Sequence, residues 1–286
     1  PSTSIQANGG ALTIGRLTAT QVNNTLNVSG GTVAIRSLSA NGSNLLLNKG
    51  TLNIIGDASV SNGLSVGILS GEQMTANFTA GTTTITSGLY VGVTGGIGHV
   101  NVQGAIMNLD LLTLGFMGAS QGNLTLSSGQ LNVVGLTSVG NAGDASLKLL
   151  GGSADMGSVE IGGNGELVVS SALTSAEMIT LTVASGGTMT LLPDAYAAGL
   201  TAPIITIDEL SLDVAGDYTI DMQNFSMVGD TIQLILLSVN SALGDSLLAN
   251  WDIINLDALY DSGLGAYWDG TNLVVDITRI PEPSVA

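Results

Sequence analysis

The chain has no cysteine, a single histidine and only five lysines and arginines among its 286 residues. Without thiols there is neither a disulfide framework nor a thiolate metal site. With His99 alone, in the stretch GGIGHVNV, neither a Ser-His-Asp triad nor a zinc site is well supported. Its place beside a turn reads as a corner residue. Aromatics make up 3% and charged residues 9% of the chain, less of both than an ordinary globular enzyme carries. No apolar run reaches the roughly 18 residues of a membrane span. The most apolar stretch, IQLILLSV at 232–239, has the length of a strand. The first residues show neither the basic nor the apolar region of a signal peptide. The chain opens on Pro1 and reads as mature or trimmed.

What is present is aliphatic and glycine-rich. Hydrophobic residues reach 44%, mostly Leu, Val, Ile and Ala, with 40 glycines between them. That content argues against disorder, and it suits narrow stacked layers better than a rounded core. The formal net charge is −17, from 5 basic and 22 acidic residues, and such a surface repels phosphate backbones. Eight of the acids precede Leu191 and 14 follow from Asp194 onward. This shift is the clearest boundary signal, dividing the chain into 1–190, an acidic segment 191–279, and a tail 280–286.

One short phrase recurs: NGGALTI from Asn8, SGGTVAI from Ser29, NKGTLNI from Asn48, SSGQLNV from Ser127, SGGTMTL from Ser185. Its glycines, Gly10, Gly31, Gly50, Gly81, Gly104, Gly129, Gly152 and Gly187, are spaced mostly in the low twenties, with steps of 31 and 35 that read as insertions or as a rung without its glycine. After most of these glycines, apolar residues alternate with polar or small ones: Val33 and Ile35 around Ala34, Leu131 and Val133 around Asn132. Period two is the signature of a strand with one face buried. Further strands precede the glycines (LNV, VNV, LTL, LKL) or follow later (LSVGIL, LYVGV, VEIGG). Three short strands and their turns fill one coil of a parallel β-helix. The expected fold is all-β, a right-handed parallel β-helix with glycine corners. A hairpin sandwich is the rival.

The last third predicts longer strands, a short helix or turn at 241–251, and a hairpin at the Asp-Gly of YWDGTNLVVDI. Both tryptophans, Trp251 and Trp268, fall here and suit a closing layer. The segment reads as a β-rich C-terminal module that caps or extends the solenoid.

The tail RIPEPSVA contains Pro281, Glu282 and Pro283 directly after the last strand. The tripeptide resembles the sorting signal of PEP-CTERM proteins. In that family it precedes a hydrophobic helix and a basic cluster, and an exosortase-type enzyme processes it; here the chain stops three residues later. The repeats LNVSGGTVAI and LTLSSGQLNV look like autotransporter-type passenger repeats, which many such proteins carry. The resemblance implies a Gram-negative bacterial origin, export, and a place at the cell surface or in the extracellular matrix.

The acids are the remaining candidates for chemistry. Glycosidases need two carboxylates about 5–10 Å apart, on a solenoid from neighbouring coils at matching phase. Asp110, Asp144, Asp155, Glu160 and Glu166 fall at different phases, with Asp155 and Glu160 the pair that could share a coil. Asp208, Glu209, Asp213, Asp217 and Asp221 crowd one stretch, where Ca²⁺ is one option and a solvated acidic face the other. The strands' outward residues are often Asn or Thr (Thr13, Asn27, Asn53, Asn101, Thr125, Asn132, Thr182, Thr190), a pattern that can stack as polar ladders and can bind ice or glycans. Nothing in residues 2–14 supplies an amphipathic or charged cap, which predicts an adhesive edge. The expectation is a non-enzymatic structural protein without a cofactor, assembling with itself head-to-tail by strand addition. The alternatives are a monomeric adhesin bound to extracellular polysaccharide and, below it, a polysaccharide lyase or hydrolase.

Overall fold

The computed structural model describes residues 4–19, 25–41, 44–193, 202–227, 230–243, 245–246, 249–263 and 265–280. Alternation decides the elements. In the strand Thr25–Ile35, Leu26, Val28, Val33 and Ile35 are buried, while Asn27 and Ala34 between them are half-buried. A pleated backbone sends successive side chains to opposite sides, so each strand hides one set and shows the other. Single strands of this length are not stable alone. Each therefore hydrogen-bonds to the strand one coil further on. Among the described residues, the strands from Ser4–Ile14 to Asp252–Ile254 pair with one another only in parallel.

The result is an all-β parallel solenoid with three faces and no α-helix among the described residues. Register links Ala7, Val28, Leu47, Val66, Val91, Leu114, Val139, Ile161, Val183 and Leu212 into one aliphatic ladder, which defines face A. Face B follows each coil's next turn with Val33, Leu52, Ala76, Val100, Leu124, Leu147, Leu167, Met189 and Tyr218. Face C carries Ala40, Val60, Ile85, Leu109, Val133, Met156, Met178, Ile207 and Val239. These ladders meet in one continuous core. Stacking like on like at each level fills the narrow interior without large side chains, which is why so few aromatics suffice.

The irregular glycine steps have a structural cause. Gly10, Gly31, Gly50 and Gly187 lie at the corner between faces A and B, whereas Gly81, Gly104, Gly129 and Gly152 lie at the corner between faces B and C. The steps of 31 and 35 are changes of corner, not insertions. Along face A the coils between Ala7 and Val183 are 19 to 25 residues long throughout. Seven of the eight glycines have positive φ; at Gly187 the preceding Gly186 takes it instead, at 79°.

The compositional boundary at 190/191 is not a break in the ladder. Ile205–Leu212, Asp217–Asp221 and Asp252–Ile254 continue the parallel stack. The closing piece comes later. Asn272–Arg279 lies antiparallel on Thr231–Ala242 and is itself flanked by Ala266–Asp269 and Tyr260–Asp261. Asp269 pairs with Asn272 across Gly270 (φ 62°), the expected two-residue hairpin. Most aromatics gather at this end: Tyr218 packs on Trp251 at 5.2 Å and Phe225 on Tyr260 at 5.7 Å. The module both extends and closes the solenoid. Of the segment 241–251, Gly244, Leu247 and Leu248 lie outside the described residues.

Two inward-facing hydroxyls interrupt the aliphatic core, Thr83 on face C and Thr137 on face A. On face A, Leu64, Leu89, Leu112, Thr137 and Val159 stack in register, and the buried Thr137 hydroxyl has no hydrogen-bond partner. An orphaned buried hydroxyl costs about 1–3 kcal/mol. Thr137→Val keeps the shape and removes the cost, so its urea-unfolding midpoint is expected to rise, by about 1 kcal/mol of stability.

Candidate functional site

The chemistry of this molecule sits on the outward columns, because inward positions are aliphatic. Strand register sorts the expected polar residues. Thr13, Asn53, Asn101, Thr125 and Thr190 share one column of face B, with Ala34, Asn77, Lys148 and Val168 between them. Asn27 and Thr182 stand on face A and Asn132 on face C. Within the face B column the amides form a ladder: Asn101 Nδ2 donates to Asn77 Oδ1 at 2.8 Å and Asn77 Nδ2 donates to Asn53 Oδ1 at 2.8 Å. Asn132 donates likewise to Asn108 at 2.8 Å on face C. These bonds run parallel to the main-chain ladder and tie successive coils together. They do not make a flat threonine array.

The acids are separated by the same alternation. Asp155 and Glu160 share the strand Gly152–Ile161 but flank a corner, so Asp155 stands on face C and Glu160 on face A. The carboxylate in register with Asp155 is Glu177, one coil on. With Asp208, Met156, Met178, Ile179 and Thr206 they line a shallow cleft. Asp208 Oδ1 accepts from Asn240 Nδ2 at 2.7 Å. Asp110 Oδ2 accepts the Ser87 backbone N–H at 3.0 Å, and Glu166 pairs with Lys148 at 3.6 Å. In the acidic segment, Asp213 Oδ1 accepts Ala215 N–H at 2.8 Å, and Asp221 Oδ1 accepts Gln223 N–H at 3.0 Å and Asn255 Nδ2 at 2.8 Å. Asp208 belongs to face C, Asp217 and Asp221 to face B, Glu209 and Asp213 to the stretch between. Among the described residues no group of three or more His, Cys, Asp or Glu side chains converges to hold a metal ion.

No family model, curated protein or solved structure matches the chain. Pro281, Glu282 and Pro283 lie outside the described residues.

A second column of face B holds a run of varied polar groups. Thr75, His99, Asn123, Ser146 and Glu166 stand in register on five successive coils. His99 Nδ1 lies 3.4 Å from Asn123 Nδ2, and partial burial holds the imidazole below its usual pKa. Ser146 points outward yet is only 7% exposed, because it is the small residue between Asn123 and Glu166. It floors a notch walled by Gln121, Asn123, Asp144 and Asn164. Ser146 and His99 are two coils apart with Asn123 between them, so they do not form a nucleophile–base pair.

Sequence reasoning missed this notch, since its lining comes from three separate stretches of the chain, 121–123, 144–146 and Asn164. It also missed a better corner signal, Gly67, Gly92, Gly115 and Gly140, each directly after the last face A residue of its coil. The dipeptides Val66-Gly67, Val91-Gly92, Leu114-Gly115 and Val139-Gly140 were visible in the sequence.

Proposed function

We propose that this chain is a non-enzymatic structural protein of the bacterial cell surface or extracellular matrix that assembles with itself end to end. The observation that carries the reading is the pairing of the first and last described coils. Among the described residues, Ser4–Ile14 and Leu17–Ala19 are each paired on one side only. Their outer edge offers a row of main-chain donors and acceptors, the standard template for strand addition. At the other end Asn272–Arg279 covers the Thr231–Ser238 part of the edge of the strand Thr231–Ala242, while no further strand pairs with the outer side of Asp252–Ile254 among the described residues. Head-to-tail contact therefore uses a partial edge and makes weak, reversible filaments. The surface location rests on the resemblance of the Pro281-Glu282-Pro283 tail.

Negative-stain microscopy and sedimentation of the purified chain across a concentration series test this. Filaments that lengthen with concentration are expected. Discrete single particles at every concentration would sink the proposal.

A further inference from the structure

We infer that the notch on face B binds a neutral, hydroxyl-rich saccharide. The inference is independent of the end-to-end assembly proposed above. Ser146 is 7% exposed, and its hydroxyl reaches neither solvent nor a hydrogen-bond partner. It lines the notch together with Gln121, Asn123, Asp144 and Asn164. A buried hydroxyl left without a partner is costly, and natural proteins satisfy nearly all such groups. This one faces outward, under a ring of polar side chains, where an incoming group can pair with it. Thr83 and Thr137, whose hydroxyls are also unpaired, face the aliphatic core instead and have no such access.

The lining selects the ligand class. Gln121, Asn123 and Asn164 each offer two N–H donors and a carbonyl acceptor, Asp144 offers acceptors only, and Ser146 offers both. Sugar hydroxyls both donate and accept, and neighbouring ones match such a mixture. No cation lines the notch, so a phosphate or carboxylate gains no partner there. The only cation close in register, Lys148, is paired with Glu166. A chain of net charge −17 also repels polyuronates. Apolar ligands are equally ill served, since Ala145 is the one apolar lining residue.

Two further details fit. Asn123 is held toward His99 only by a long 3.4 Å contact, so its amide turns at little cost and opens the way to Ser146. The loop leading into Gln121 carries Phe116 and Met117, each 44% exposed, and Tyr90 meets Phe116 edge-on at 5.9 Å. In a chain with 3% aromatics, the exposed ring of Phe116, backed by the half-buried Tyr90, offers a surface for the C–H face of a pyranose.

The test is native affinity electrophoresis of the full chain through gels holding dextran, mixed-linkage β-glucan, galactomannan or polygalacturonate, with free monosaccharides as competitors. Retardation by at least one neutral polymer and none by polygalacturonate is expected. Competition by a free monosaccharide would place recognition in a single sugar, and its failure in the polymer. Ser146→Ala and Asn123→Ala should each weaken retardation about tenfold, the effect of one lost hydrogen bond. Ser146→Ala should leave the unfolding midpoint unchanged or raised, which separates lost binding from lost folding. No retardation by any neutral polymer, equal retardation by polygalacturonate, or undiminished retardation of both variants would overturn the inference.

Discussion

Gly92→Ala is expected to destabilise the protein by about 3 kcal/mol or more. Gly92 turns the chain from face A to face B with φ 70°. A side chain in that left-handed region costs about 1–2 kcal/mol per residue. Space is the larger problem. An added Cβ would overlap the Gln121 carbonyl and lie 2.8 Å from the Gly122 nitrogen, which belong to the next coil's backbone. A flexible side chain could rotate away; a backbone cannot. The Gln121–Gly122 backbone is held in turn, since Gln121 N–H donates to the Gly96 carbonyl at 3.0 Å. The coils spread, and Val91 and Leu114 lose their contact across the gap. Overpacking of this kind costs about 1–3 kcal/mol, occasionally more. Gly71→Ala is the control, because Gly71 has φ 75° and nothing within 4 Å of a built Cβ. It should show only the conformational penalty. Solenoid stability is local, so hydrogen exchange should rise first in coils adjoining Gly92. Equal losses in the two variants would contradict the steric account.

The sequence made the coils legible and left their phase obscure, for physical reasons. Alternation such as Val33-Ala34-Ile35 and Leu131-Asn132-Val133 reports directly on burial, and the ladders contain those residues. A glycine after a strand reports only that the chain turns. Nothing local distinguishes the corner at Gly50 from that at Gly81, so a phase read from glycines slips where the corner changes. Composition misled in a related way. The acids after Asp194 alter outward positions, whereas the inward residues Ile207, Leu210, Leu212 and Ile220 keep the ladder going. Charge therefore marked a boundary where the parallel stack continues. The hairpin at Asp269-Gly270 was readable because its signal is contained in two residues. The notch at Ser146 was not, because a small residue becomes a floor only when Asn123 and Glu166 are brought to either side of it.

Removing residues 266–286 should convert weak assembly into strong assembly. These residues include the strand Asn272–Arg279, whose Leu273, Val274, Val275 and Ile277 are buried against the end of the solenoid. Burying such a side chain stabilises by about 1.5–3 kcal/mol, so the truncated chain loses a large fraction of the marginal stability typical of folded proteins. It also bares the edge along Thr231–Ser238, with Leu234 and Leu237 beneath it. A long, apolar, unpaired edge is the feature natural sheets avoid exposing. In the full chain the antiparallel strand has the wrong direction to continue a parallel ladder, so it acts as a stop. Without it, the parallel strands of a second copy's first coil can add in the same sense as every coil before. The expected outcome is a lower unfolding midpoint together with longer filaments that resist dilution, showing a repeat of about 4.8 Å along the fibre axis. Amorphous aggregate would mean that the strand seals the core without directing assembly, and would count against head-to-tail growth. An unchanged midpoint in a dispersed chain would show that the hairpin is neither seal nor stop.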